Sequence, residues 1–262
     1  MTTTTSTTAE TYTLDNGWEQ ARRRLRLLEQ CYDASTTRRL AAIGVSSGWR
    51  CLELGAGGGS VAAFLARQVG PQGTVTAVDI DTRFVAEIQA ENLEVVETDV
   101  AAAGLPRDTF DLVHCRALLM HLSARDQVLE SMVGSLRPGG WILIEEADSS
   151  PFAAVQPGVL KQVIVDGLTS AGVDWTYART VPALLQGHGL CDVAAESEVQ
   201  FFEGGSGIAE LARLSVWQAW EAGFRGGATR EHLEAWDTLV RRPGQWFQGW
   251  GLVSAWGRRP AR

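Results

Sequence analysis

The chain has 262 residues, 45% of them hydrophobic and 21% charged, with a formal net charge of −8 at pH 7. That length can bury a full hydrophobic core, while the acidic balance excludes a nucleic-acid binder working through phosphate contacts. No apolar run approaches the roughly 18 residues of a membrane span, and the N-terminal MTTTTSTTAE has neither the basic start nor the apolar stretch of a signal peptide.

Residues 1–10 read as a disordered tail because the threonine run has nothing to bury. Residues 11–262 read as a single domain with an N-terminal helical segment (11–45) and helical insertions near 150–175 and 205–242. Cys31, Cys51, Cys115 and Cys191 form no C-x-x-C pair, so neither zinc nor a disulfide framework is expected. Free thiols fit a reducing cytoplasm.

In chain order, Leu14, Trp18, Ala21, Leu25, Leu28 and Tyr32 recur at three- and four-residue steps, which predicts a helix between Tyr12 and Leu40. RCLEL is a short apolar strand followed by glycines, and Ser60 to Val69 a helix closed by GPQG. TVTAVDI is a second strand, with a helix expected from Thr82 to Glu91. LEVVETDV and FDLVHC are strands three and four, Leu118 to Leu136 a helix stopped by RPGG, and WILIEEAD a fifth strand. Helical stretches follow near 158–171, 206–224 and 229–241. VAAESEVQFF and GLVSAWGRR are two late strands, expected antiparallel at the far edge of the sheet. Alternating strands and helices predict an α/β, doubly wound, Rossmann-like parallel sheet with helices on both faces.

The stretch CLELGAGGGS is the most informative. A strand, a glycine turn and a helix N-terminus build a nucleoside site, since glycine lets a ligand approach the main chain. Gly57, Gly59 and Ala62 satisfy the dinucleotide pattern G-x-G-x-x-A. The register Glu53-x-Gly55-x-Gly57-x-Gly59 also takes in an acid, which would repel a pyrophosphate and suit an ammonium or sulfonium. Asp79 ends the second strand 20 residues after Gly59, the place of a carboxylate that holds a ribose diol. Asp81 is either a second ligand-binding acid or a helix N-cap. Asp99 ends the third strand, where a carboxylate could accept from an adenine amine or cap a turn.

Glu53, Gly55, Gly57, Gly59, Asp79 and Asp99, with AVDID, ETDV, FDLVHC and LRPGGWILIEEAD in order, resemble the class I S-adenosylmethionine-dependent methyltransferases over about residues 40–150. The N-terminal segment resembles actinobacterial members of that superfamily, some tied to natural-product pathways. The resemblance implies a seven-stranded sheet with its last strand antiparallel. It implies S-adenosyl-L-methionine held by Glu53, Gly55, Ala56, Gly57 and Gly59 near its methionine part, by Asp79 and Ile80 at the ribose, and by Asp99 and Val100 at the adenine. Cys115 and Arg116 are implied beside the methionine part. Separately, the amphipathic residues just ahead of the first strand suggest an N-terminal helix that covers the cofactor, with Tyr12 and Arg24 reaching its carboxylate.

His121 is the best candidate for a general base, since an imidazole near neutral pKa can take a proton from a hydroxyl or amine; the other reading is a helix histidine packed against the core. His114 falls inside a predicted buried strand and is assigned to structure. Glu145, Glu146 and Asp148 follow the fifth strand and read as a solvated loop or a site for a cationic substrate; no metal is expected. Seven of the ten tryptophans stand at or beyond Trp175. They read as core, although a cap rich in Trp and Phe would suit a flat apolar substrate. The expected activity is methyl transfer to an oxygen or nitrogen of a small molecule, aromatic or apolar and of secondary metabolism, in a cytoplasmic enzyme without nucleic-acid or membrane partners; homodimerisation is left open. Two alternatives stand beside it. One is a cyclase or rearrangement enzyme that binds the same cofactor without methylating. The other is an NAD(P)-dependent oxidoreductase, disfavoured by Glu53 and by the lack of a Tyr-x-x-x-Lys pair, position 157 being proline.

Overall fold

The computed structural model describes residues 14–155 and 158–261. The expected tail 1–10 and Tyr12 lie outside them. The strands are β1 (Arg50–Leu54), β2 (Thr74–Asp79), β3 (Leu93–Glu97), β4 (Phe110–Arg116), β5 (Leu136–Asp148), β6 (Cys191–Glu203) and β7 (Trp246–Arg258). They form one sheet in the order β3-β2-β1-β4-β5-β7-β6. β1 to β5 pair in parallel, and β7 runs antiparallel to both β5 and β6. The expected fold class and its antiparallel last strand are therefore correct. Strand order reverses between β1 and β4, and in an open α/β sheet the crevice forms beyond the carboxyl ends at such a point.

The central strands are apolar runs because both faces are covered; all seven positions of β4 are buried. Alternation sorts their side chains. Leu52, Leu54, Val113, Cys115 and Ile144 pack on one face. Cys51, Val75, Leu112 and Leu143 pack on the other with Val61, Leu65 and Val69.

The helices are α1 (Ala21–Ile43), α2 (Ser60–Val69), α3 (Arg125–Ser135), α4 (Ser150–Val155), α5 (Gly158–Lys161), α6 (Gly167–Ser170), α7 (Val181–Gly187), α8 (Gly207–Glu221) and α9 (Arg230–Val240). A π-turn, Gln162–Asp166, joins α5 to α6. α1 ends at Gly44, whose φ of 94° lets its N–H reach the Ala41 carbonyl. α9 starts with a capping box between Thr229 and His232. A third cluster, with Trp236, Val216, Leu233, Phe202 and Phe247, joins α8 and α9 to the far ends of β6 and β7. α1 packs against α8 and α2, over the crevice.

Two expected helices are corrected. Between Thr82 and Glu91 there is only a short 3₁₀ turn, Val85–Glu87. Val85 and Ile88 close over Gly59, a three-residue spacing that a 3₁₀ turn aligns on one side. Asn92 Nδ2 then ties the chain to the Ala66 and Gly70 carbonyls at 2.9 and 2.8 Å. The helix expected over Leu118 to Leu136 is broken into a turn, Leu119–His121, and α3. Glu146 Oε1 accepts the Leu118 and Leu119 amides at 3.2 and 2.7 Å, and Ala117 takes a φ of 51°. Those bonds stop the turn before a longer helix can form.

Candidate active site

Beyond the carboxyl ends of β1 and β4 lies a cavity of about 530 Å³. The glycine loop forms its floor. Gly55 and Gly57 adopt φ of 69° and 53°, which a side chain rarely takes. A Cβ at Gly55 would stand 3.1 Å from Leu118, and one at Gly57 3.3 Å from Leu25. Both positions therefore need glycine for backbone conformation and for the close packing of Leu118 and Leu25 against the loop.

Asp79 fixes the loop from below: Oδ2 accepts the Gly57 amide at 2.8 Å and Oδ1 the Asp81 amide at 3.0 Å. Burial, partly offset by these amides, raises its pKa above the ordinary value. Each oxygen keeps a lone pair for a ligand hydroxyl. Ile80, Asp99 and Val100 line the same end. Asp99 also caps its own turn, accepting the Ala101 amide at 2.8 Å. Asp81 caps no helix; it holds Arg83 at 2.8 Å and accepts the Arg83 amide.

The helix N-terminus, where a pyrophosphate would dock, is already filled by the protein's own acids. Glu29 Oε1 accepts the Ser60 amide at 3.3 Å, and Asp33 Oδ1 accepts the Ser60 hydroxyl at 3.0 Å. Gly58 permits this approach, since a Cβ there would stand 2.2 Å from Glu29 Oε1. Burial first, with Asp33 adding, raises the pKa of Glu29. Glu29 and Asp33 are four residues apart on α1, one helix face, and that spacing is the signal that would have found them.

Glu53, Arg24, Ala56 and Arg116 line the cavity with Gly55 and Gly57. Arg24 is buried and donates to the Leu14 carbonyl at 3.4 Å. Arg116 donates to Thr36 Oγ1 and Asp33 Oδ1, each at 2.9 Å. Two expected members stand off the wall. Gly59 is the left-handed residue before α2, covered by Val85 and Ile88. Cys115 points into the sheet's apolar face, fully buried, its thiol pKa pushed well up by burial and then by neighbouring carboxylates. Tyr12 lies outside the described residues. Glu145, Glu146 and Asp148 are not a loop but buried residues of β5.

The cavity's other end is apolar, with Met120, Ile164, Leu168, Trp175, Leu211 and Trp250. Trp175 and Trp250 therefore belong to the pocket, whereas Trp236 is core. His121 lines the wall at the end of the turn that Glu146 holds. Burial, then the charges of Arg24 and Arg125, lower its pKa to about 4. At neutral pH its imidazole is uncharged.

Residues 52–144 match the family model described as a methyltransferase domain. The ubiquinone/menaquinone biosynthesis C-methyltransferase UbiE of Pseudomonas putida (strain GB-1) is 35% identical over 111 residues, covering 39% of this chain and 43% of the relative. The chain thus matches less than half the length of such curated relatives. The YcgJ protein of Bacillus subtilis superposes with a TM-score of 0.59 at 17% identity, over 87% of this chain and 99% of that one. Phosphoethanolamine N-methyltransferase 2 of Haemonchus contortus, solved with S-adenosylhomocysteine, gives 0.56 at 17% identity, over 91% and 52%. The glycine loop, the Asp79 carboxylate beneath it and the helix end covered by Glu29 all lie within or against the matched segment. Residues 52–144 thus resemble a methyltransferase domain, and the seven-stranded sheet with its antiparallel last strand has the Rossmann-like fold of solved methyltransferases.

Proposed function

We propose that the protein transfers a methyl group from S-adenosylmethionine to a small, largely apolar acceptor. The observation that carries this reading is one continuous cavity, polar and glycine-floored at Asp79 and apolar at Trp175 and Trp250, with His121 on its wall. The bound cofactor supplies the electrophilic methyl carbon. The protein's part is to bind, orient and exclude water. Asp79 receives the ribose hydroxyls, the loop at Gly55 and Gly57 underlies the chain beyond the ribose, and Glu53 faces its ammonium. The apolar end holds the acceptor in line with the sulfonium. His121, uncharged at neutral pH, takes the proton released when an acceptor hydroxyl or amine is methylated. The acceptor atom is an oxygen or nitrogen of a secondary metabolite on the reading made from the sequence; UbiE relatives bear the name of C-methyltransferases, and an acidic carbon would use the same base.

Calorimetry with S-adenosylmethionine and with NADP tests the cofactor, and S-adenosylhomocysteine release over a panel of phenols, amines and quinols tests the acceptor. Binding of S-adenosylmethionine and turnover with an apolar acceptor are expected. Tight NADP binding with no response to S-adenosylmethionine would overturn the proposal.

A further inference from the structure

A row of ionisable side chains crosses the interior of the sheet on the face toward α1. Glu53 on β1 stands opposite His114 on β4, and Glu145 on β5 lies two residues beyond Leu143, which pairs with His114. His114 is fully buried. Its Nδ1 is 2.6 Å from Glu53 Oε2, and its Nε2 is 3.4 Å from Glu145 Oε2. A neutral imidazole has a single N–H and would satisfy only one of these carboxylates. Burial opposes charge on the ring, but Glu53 and Glu145 outweigh it and raise its pKa to about 9.

The far end of the row is tied down. Glu145 accepts from the Ser254 hydroxyl at 2.6 Å and from Thr36, and Arg39 approaches it at 3.4 Å. Arg39 continues to Glu196 at 2.5 Å and Glu198 at 3.7 Å on the edge strand β6. Glu145 pKa falls to about 2, since these partners, His114 foremost, overcome its burial. The near end is open: Glu53 lines the cavity, and Oε1 accepts no hydrogen bond among the described residues.

We propose that His114 is a positioning residue that acts through Glu53: it holds that carboxylate in one orientation, so that Oε1 receives the ammonium of the cofactor's amino-acid part. The proposal rests on the reading that the cavity binds S-adenosylmethionine. An apolar residue at this position of a central strand would spare the sheet several buried charges. Without the imidazole, Glu53 loses the 2.6 Å partner that fixes Oε2, whereas Glu145 keeps Ser254, Thr36 and Arg39. The other charged pair facing the row, Asp33 with Arg116 at 2.9 Å, is already mutually satisfied.

The test measures binding of S-adenosylhomocysteine and of methylthioadenosine, which lacks the amino-acid part, to the wild type and to His114→Gln between pH 6 and 8.5. For the variant, a roughly tenfold loss for S-adenosylhomocysteine is expected across this range, with methylthioadenosine unchanged; a tenfold loss corresponds to about 1.4 kcal/mol. Equal weakening of both ligands, or no weakening of either, would overturn the role given to His114. Failure of the wild type to bind either ligand would instead remove the cofactor reading beneath it. If His114→Gln and His114→Asn both fail to fold, ¹⁵N NMR of the wild type decides. Both ring nitrogens of His114 should be protonated at pH 7 and shift with S-adenosylhomocysteine but not with methylthioadenosine; a singly protonated ring refutes the proposal.

Discussion

Glu146 offers a direct test of the electrostatics beneath the acceptor end. It is fully buried, with Oε1 holding the Leu118 and Leu119 amides and Oε2 without a partner among the described residues. Burial outweighs those amides and the charge of Arg125, raising its pKa from 4.5 to about 7. The folded state therefore holds this proton more tightly than the unfolded chain. Its favourable contribution is complete below the unfolded value and is lost as pH rises through about 7. At about 1.4 kcal/mol per tenfold change in proton affinity, the full span is about 3 kcal/mol, of which about 2 kcal/mol falls between pH 5.5 and 8.5. Glu146→Gln keeps an oxygen for the two amides and removes the titration. Relative to wild type, the variant should gain about 2 kcal/mol of stability on going from pH 5.5 to 8.5, read by urea unfolding with m-values compared at both pH values. A difference that does not change with pH, or that falls as pH rises, would show that Glu146 is not held protonated by burial.

Three further outcomes follow from the site. Asp79→Ala should weaken S-adenosylmethionine binding about 30-fold, on the order of 2 kcal/mol for lost charge-assisted hydrogen bonds; calorimetry showing an unchanged dissociation constant would place the ribose elsewhere. His121→Ala should lower turnover by at least about tenfold while leaving cofactor affinity intact. Because the wild-type imidazole is uncharged above its pKa of about 4, the rate should show no acidic limb from this residue between pH 6 and 9; a limb in that window absent from the variant would contradict the lowered pKa. Gly59→Ala should destabilise the fold by about 2–3 kcal/mol by thermal or urea unfolding, since φ is 88° and the new Cβ would stand 2.3 Å from Ile88 Cδ1; unaltered stability would mean that the 85–88 turn moves aside without cost.

What was legible from sequence is what depends on neighbours in the chain. The strands RCLEL and TVTAVDI, the helix Ser60–Val69 and the late antiparallel pair follow from local periodicity and stand within a residue or a few of their expected places. Asp79 was legible because its distance from the glycines is set by one strand–helix–strand unit. What failed depends on partners far along the chain. The helix expected at Leu118 breaks because Glu146 takes its amides. α1 carries six arginines, and no local feature shows that Arg24 and Arg39 alone among them are buried; Arg39 is buried because Glu145, Glu196 and Glu198 meet it from other strands. His114 read as structural for the same reason: its two carboxylates come from β1 and β5.

The same long-range placement decides which ligand the glycine loop admits. By itself, a strand, a glycine turn and a helix N-terminus favour an anion, and a helix dipole contributes up to about 2 kcal/mol to one. α1 reverses that preference by laying Glu29 and Asp33 across the Ser60 amide and hydroxyl. A phosphate brought to about 4 Å from the Glu29 carboxylate would meet repulsion of about 4 kcal/mol at the effective dielectric of a partly buried site, with less from Asp33, whose charge Arg116 meets at 2.9 Å. That exceeds what the helix end supplies, so a dinucleotide pyrophosphate is turned away even though the G-x-G-x-x-A pattern is present. The choice of ligand therefore lies in the helix that precedes the glycines as much as in the glycines themselves. Glu29→Gln with Asp33→Asn should weaken the discrimination against phosphate-bearing adenosine ligands more than it weakens binding of S-adenosylmethionine, and an unchanged ratio would return the discrimination to Glu53.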